Sequence, residues 1–342
     1  MHNMNIYTIC LIVQFLDLKD ICRARRLDIA WRNRFQESVV WNYVQCEVQR
    51  HAIRLVLQSF PHARKLQLRD FDVGVEIMLS SLREFTFTGV GYSEALQSYL
   101  DNHDPNTTLR RLELTHYNIP LATLLKKFPQ LTSLYLRYET NFADLEPCGL
   151  TSFGYSVEYC EPPIWLAKIK SLSLFRFRYR VEFVKKYFSV FKSLVSLRVP
   201  ISSTWHLIEI AEATPALRKL TVVFHGISTM SQRIEAISTF GARLKGLSIR
   251  FSPYCLIDKG FNFADDMRKL TALEHFDVDG AGGQFPMNLT TWIEELNSFP
   301  SLREVKCVAV NDSSGLISSS QLPASIGKLR YIEVGRISKV FY

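Results

Sequence analysis

What the sequence lacks narrows its function first. Its 342 residues contain no CxxC pair, no HExxH, no GxSxG and no glycine-rich phosphate loop ending in Lys-Ser or Lys-Thr. Those absences remove the local signatures of thiol redox chemistry, zinc proteolysis, hydrolase nucleophiles and nucleotide binding. No segment is apolar enough for long enough to span a membrane. The seven cysteines are an odd number scattered from Cys10 to Cys307, a pattern of free, buried thiols in a reducing compartment. The apolar stretch Ile6 to Leu16 has no Lys or Arg before it and no clear small-residue cleavage site after it, and Asp17 and Asp20 follow directly. These features point away from a signal peptide. The expected location is cytoplasmic or nuclear, or both, and the sequons at Asn106, Asn288 and Asn311 are then ordinary loop residues.

What is present is a folding chain, with 47% hydrophobic residues and 41 Lys plus Arg against 33 Asp plus Glu. The excess of positive charge is local. Residues 168 to 192 hold eight basic side chains (Lys168, Lys170, Arg176, Arg178, Arg180, Lys185, Lys186, Lys192) against Glu182, nearly the whole-chain surplus of +8. Because the basicity is a patch rather than a general property, a nucleic-acid reading based on pI alone is weakened, and nucleic acid is not the expected partner.

The dominant signal is a repeat. The phrase apolar-x-x-apolar-x-apolar recurs twelve times, as ARKLQL, LREFTF, LRRLEL, LTSLYL, LTSFGY, IKSLSL, LVSLRV, LRKLTV, LKGLSI, LEHFDV, LREVKC and LRYIEV, between Ala63 and Leu329. The mean spacing is about 24 residues, within the range of leucine-rich repeats. Residues two apart on a strand share a face. In LTSLYL, Leu134 and Leu136 therefore point inward while Ser133, Tyr135 and Arg137 point outward. The expected fold is α/β: a leucine-rich-repeat solenoid, a horseshoe of about twelve repeats with a parallel sheet on the concave face. Helical spacing at Leu121, Leu124, Leu125 and Phe128, at Leu207, Ile208 and Ala211, at Ile234 and Ile237, and at Trp292, Ile293 and Leu296 predicts helices on the convex side. Pro129, Pro215 and Pro300 should end three of these segments. At CEPPIW, residues 160 to 165, an irregular loop is expected in place of a helix.

Recognition is the function such a face supports. The expected partner-binding residues are Arg69, Arg111, Tyr135, Arg137, Phe175, Arg198 and Arg250, followed by an acidic end at His275, Asp277, Asp279, Glu304 and Glu333. Continued alternation from Leu172 and Leu174 would bury Arg176, so the strand must end or bulge near Phe175. His116, His225 and His275 are expected at the surface. DVDGAGG, from Asp277, begins like a calcium loop, but Ala281 and Asn288 stand where an oxygen ligand and a bidentate Glu are needed, so it reads as a turn. No catalytic residue, cofactor or metal ligand is expected.

The first 50 residues differ from the rest. In FLDLKDICRARRLDIAWRNRF, residues 15 to 35, Asp17 and Asp28 are plausible N-caps, Ile21 and Ala24 mark one helical face, and Leu27, Trp31 and Phe35 mark another. With an upstream helix over residues 6 to 15, three short helices end near Trp41. Phe15-Leu16, Leu18-Lys19-Asp20-Ile21, Arg23-Ala24, Trp31-Arg32 and Trp41 together resemble an F-box, the module that usually precedes leucine-rich repeats in the F-box/LRR family. Met4-Asn5 stand where that family has Leu-Pro. The resemblance implies a three-helix module over 1–50 and a repeat domain over 51–342. It implies that Ile12, Phe15, Leu16, Leu18, Ile21, Trp31 and Trp41 contact a Skp-type adaptor, and through it a cullin. The chain would then be a non-catalytic substrate receptor of a ubiquitin ligase, with an unidentified protein substrate on the repeats. The alternative is a leucine-rich scaffold or inhibitor with no ligase role, whose N-terminal helices cap the first repeat. A secreted repeat protein, with glycan at Asn106, is the third reading.

Overall fold

A computed structural model describes residues 45–48, 64–68, 82–87, 100–101, 104–115, 121–137, 149–158, 162, 164–178, 180–225, 229–251, 267–279, 299–308 and 331–335. The adaptor-contact residues inferred from the F-box resemblance, together with Arg69, His116 and the Trp292 segment, lie outside them. The chain divides into two compact units, Met1–Ser156 and Val157–Tyr342.

Each of the twelve phrases forms a strand beginning at its third residue. The first unit contains β2 (Lys65–Leu68), β3 (Glu84–Phe87), β4 (Arg111–Leu114) and β5 (Ser133–Leu136), and the division falls within β6 (Ser152–Glu158). An additional strand, β1 (Gln45–Val48), pairs parallel with β2, Gln45 opposite Lys65. The second unit contains β7 (Ser171–Arg178), β8 (Ser196–Ile201), β9 (Lys219–Phe224), β10 (Gly246–Phe251), β11 (His275–Asp279), β12 (Glu304–Val308) and β13 (Tyr331–Gly335). Within each unit neighbouring strands pair in sequence order, and every recorded register is parallel. These are leucine-rich repeats.

The phrase produces this arrangement in two ways. Its apolar positions are buried completely: Leu109, Leu112, Leu114, Leu134, Leu136, Leu194, Leu217 and Leu244 are all 0% exposed. Each such side chain contributes about 1.5–3 kcal/mol. Its second and third residues also lock neighbouring repeats together through the backbone. The N–H groups of Arg83 and Glu84 both donate to the Arg64 carbonyl, at 2.8 and 2.9 Å, and Arg110 and Arg111 repeat the pattern on Arg83. In the second unit Lys245 and Gly246 do the same on Arg218, and Glu274 and His275 on Lys245.

The expected helices form at α1 (Leu121–Lys127), α3 (Thr204–Ala213) and α4 (Met230–Ser238). Pro129 and Pro215 follow the ends of α1 and α3 within two residues. Thr229 and Gln232 close a reciprocal capping box on α4. The spacing analysis missed α2 (Val181–Phe188), which buries Val184, Tyr187 and Phe188 on one stripe.

Two local expectations need revision and one is met. Residues Ile164–Lys168, the end of the expected irregular loop and its continuation, form a 3-10 helix anchored by buried Leu166. At FRFR the strand takes the second of the two expected courses, continuing to Arg178 with two successive residues, Phe175 and Arg176, turned from the core before Phe177 is buried, the offset of a bulge. The step occurs because Phe177 joins an aromatic cluster, its ring 6.1 Å from Tyr187, 5.7 Å from Phe188 and 5.7 Å from the buried His206. Asn106 is not an ordinary loop residue. It is 7% exposed, and its Oδ1 accepts from the Thr108 and Leu109 N–H groups at 2.9 and 3.0 Å and from the Thr108 hydroxyl. These bonds tie its side chain to the turn before β4.

Candidate interaction face

The side chains available for recognition are those that the alternation turns away from the core. In the first unit the register aligns Lys65, Glu84, Arg111, Ser133 and Ser152 in one row, with Gln67, Thr86, Glu113 and Tyr135 in the next. Three expected residues meet there. Arg137 Nη2 lies 2.9 Å from Glu113 Oε1, Arg111 Nη2 lies 3.7 Å from Glu113 Oε2, and the Arg111 guanidinium sits 4.7 Å over the Tyr135 ring. Glu113 ties this cluster together. Its side chain is 13% exposed against 43% for each arginine, so the carboxylate is the sheltered member. Sequence reading passed over it, although in LRRLEL it occupies the position that Tyr135 has in LTSLYL.

In the second unit Phe175, Arg198 and Arg250 are each half-buried on the strands, but the structure does not bring Arg198 and Arg250 together. Arg198 shares a row with Ser173, Thr221, Ser248 and Asp277, whereas Arg250 falls in the next row, beside Val223 and Asp279. The acidic end does converge. His275 Nδ1 lies 2.8 Å from Glu304 Oε2, and the Ser248 hydroxyl donates to Asp277 Oδ2 at 3.0 Å. Asp277 and Asp279 belong to β11 rather than to a loop. Beside this cluster the row Ser196, Lys219, Gly246, His275, Glu304 has no side chain at Gly246, and the face is hollow there.

One ion pair borders the hollow. Lys245 Nζ lies 2.8 Å from Glu274 Oε1, and this hydrogen bond and charge, more than the nearby Arg303 and His275, hold the Glu274 carboxyl below its ordinary value. The helix side also exposes apolar groups that sequence reading did not single out: Phe183 on α2 at 53% and Trp205 on α3 at 63%. A Lys185–Glu212 pair links these helices and raises the lysine's pKa. Arg176, Arg178 and Arg180 reach solvent as expected, and His225 is exposed.

Among the described residues no cluster of three or more His, Cys, Asp or Glu is placed to hold a metal, and no helix is long and apolar enough to cross a membrane. No family model and no curated protein matches the chain. Among solved structures it is similar to an internalin of Listeria monocytogenes, at 16% identity and a TM-score of 0.38, over 81% of this chain and 82% of that one. The leucine-rich-repeat fold itself rests on the twelve phrases and their parallel strands.

Proposed function

We propose that the chain is a non-catalytic recognition subunit whose strand face binds a protein partner and whose first 50 residues dock a Skp-type adaptor, delivering that partner to a cullin-based ubiquitin ligase. One observation carries the recognition half: Arg111 and Glu113 of β4, Tyr135 of β5 and Arg137 just after it form a charged and aromatic cluster on a hydrogen-bonded sheet. Such a surface can orient a partner by charge and hold it without rearranging. The adaptor half rests on the resemblance at Phe15-Leu16, Trp31-Arg32 and Trp41. The contribution to modification is positioning, which raises the effective concentration of the partner's lysines near a conjugating enzyme.

A second reading, a leucine-rich scaffold or inhibitor without a ligase role, is favoured by β1. That strand follows Trp41 by four residues and enters the repeat register at once, as a cap leading into a first repeat would. Co-purification of the full chain with a Skp-type adaptor separates the two, beside a Leu16→Asp, Trp31→Ala variant. Capture by the unaltered chain that the variant loses while its circular dichroism is unchanged supports the ligase reading. Absence of capture by the unaltered chain overturns it and leaves the scaffold.

A further inference from the structure

The second residue of each phrase stands at the edge of the strand face, just before its strand begins. In the first unit three successive phrases place arginine there: Arg64, Arg83 and Arg110. They are direct neighbours, because the Arg83 N–H donates to the Arg64 carbonyl and the Arg110 N–H to the Arg83 carbonyl, both at 2.8 Å. At a strand spacing of about 4.8 Å, the three side chains start within about 10 Å of one another. Arg83 and Arg110 are exposed and Arg64 is half-buried. Like charges opposite one another on paired strands are destabilising, so the column carries a repulsion of its own. The rows beside it do not. Lys65 Nζ lies 2.9 Å from Glu84 Oε1, and Glu113 serves both Arg111 and Arg137. Among the described residues the column arginines form no ion pair, and Arg110 Nη1 donates to the neutral Gln130, at 3.0 Å to its carbonyl and 2.7 Å to Oε1.

The second unit shows what such a column accepts. The same phrase position there runs Arg218, Lys245, Glu274, Arg303, joined by backbone bonds of 2.8–2.9 Å. An acid stands among the cations. Glu274 Oε1 lies 2.8 Å from Lys245 Nζ, and Lys245 first, then Arg303, hold that carboxyl below its ordinary value. A carboxylate placed one strand spacing from a basic side chain of this column therefore reaches it directly.

We propose that Arg64, Arg83 and Arg110 bind a short acidic segment of a protein partner, whose carboxylates supply to this column what Glu274 supplies to Lys245. A guanidinium takes a carboxylate through two parallel N–H bonds. In an extended chain alternate residues share a face at about 7 Å, so acids at every second position meet the column, and the long arginine stems absorb the difference in spacing. Their arrival also relieves the repulsion within the column.

This inference rests on the chain being a protein-recognition subunit. A peptide probe reports on the column alone, whereas the adaptor experiment reports on residues 1–50, and each can fail without the other. The full chain is added at low salt to a labelled decapeptide of alternating Glu and Thr, and binding is read by fluorescence anisotropy. A decapeptide of alternating Gln and Thr and an oligothymidylate of the same length serve as comparisons. The expected result is saturable binding of the acidic peptide that weakens as salt rises, with the Gln peptide weaker by about tenfold or more. The double variant Arg64→Gln, Arg83→Gln should lose about tenfold in affinity with thermal unfolding unchanged. Arg176→Gln with Arg180→Gln, in the basic segment of the second unit, should change it by less than about twofold. Arg83→Glu, which puts an acid into the column as Glu274 does, should fold at least as stably and also lose about tenfold. Equal affinity for the two peptides, no binding of the acidic one, or binding that survives Arg64→Gln, Arg83→Gln would overturn the assignment. Oligothymidylate bound as tightly through the same arginines would overturn it too, in favour of a nucleic-acid site.

Discussion

On β4 and the strand beside it two arginines share one carboxylate, whereas on β10 and β11 Asp277 bonds Ser248 through one oxygen and keeps the other buried without a hydrogen-bond partner. The backbone beneath is the same in both places: parallel strands, Leu or a similar apolar group at alternate positions, and phrase-to-phrase hydrogen bonds at 2.8–3.0 Å. The difference comes from two outward positions per phrase. The third position holds Arg111 in one unit and Gly246 in the other. The fifth holds Glu113 and Tyr135 in one, and Ser248 and Asp277 in the other. A repeat that fixes its core so strictly leaves its face free to vary from phrase to phrase.

That comparison predicts, first, that the cores under the two regions respond alike. Leu112→Ala beneath the closed cluster and Leu247→Ala beneath the hollow remove side chains that are 0% and 2% exposed. Each should cost about 2–5 kcal/mol in chemical denaturation, and a markedly smaller loss for Leu247 would show that the hollow reaches the core. Next in size is Glu113→Gln, which leaves Arg111 and Arg137 without their shared anion. A loss of about 1–2 kcal/mol is expected, in the lower range for hydrogen bonds to charged groups because the arginines are partly solvated.

Asp277→Asn should behave in the opposite way, changing stability by no more than about 0.5 kcal/mol, because it removes a charge that lacks a full set of partners. A large destabilisation there would mean that the Ser248–Asp277 bond holds the two strands together. The smallest effect concerns the Lys245–Glu274 pair at the rim. The folded carboxyl titrates below its ordinary value, so the pair's contribution is present above the unfolded carboxylate range and is lost as pH falls through the lowered folded value. Glu274→Gln should flatten that acid limb of the stability profile slightly, and salt should mask the difference.

Much of the fold was legible in the sequence, because Leu at a fixed spacing has one physical use in a strand and twelve copies cannot arise from composition. Arg111, Tyr135 and Arg137 were legible for the same reason, since period-two alternation gives their direction. Their sharing of one carboxylate, Glu113, was not, because it depends on which residue of the adjacent strand stands opposite, a register that the spacing leaves open. The aromatic cluster that draws Phe177 inward depends on α2, whose short apolar stripe is interrupted by Lys185 and Lys186 and hidden within a basic run. Asn106 reads as a sequon because Asn and the Thr two residues on also form a local turn, in which Asn106 Oδ1 accepts from the Thr108 and Leu109 N–H groups. The hollow could have been found: LKGLSI is the one phrase of the twelve with Gly at its third position.

The most direct test of the central claim, that this chain recognises a protein through its strand face, is site-specific photo-crosslinking in cells. The photoreactive residue is placed at Tyr135 or Thr221 on the strands and at Phe183 or Trp205 on the helices. The account predicts that one partner is captured from a strand position and that the helix positions give none of it. Capture of that partner only from Phe183 or Trp205 would contradict the account and move the binding surface to the helix side.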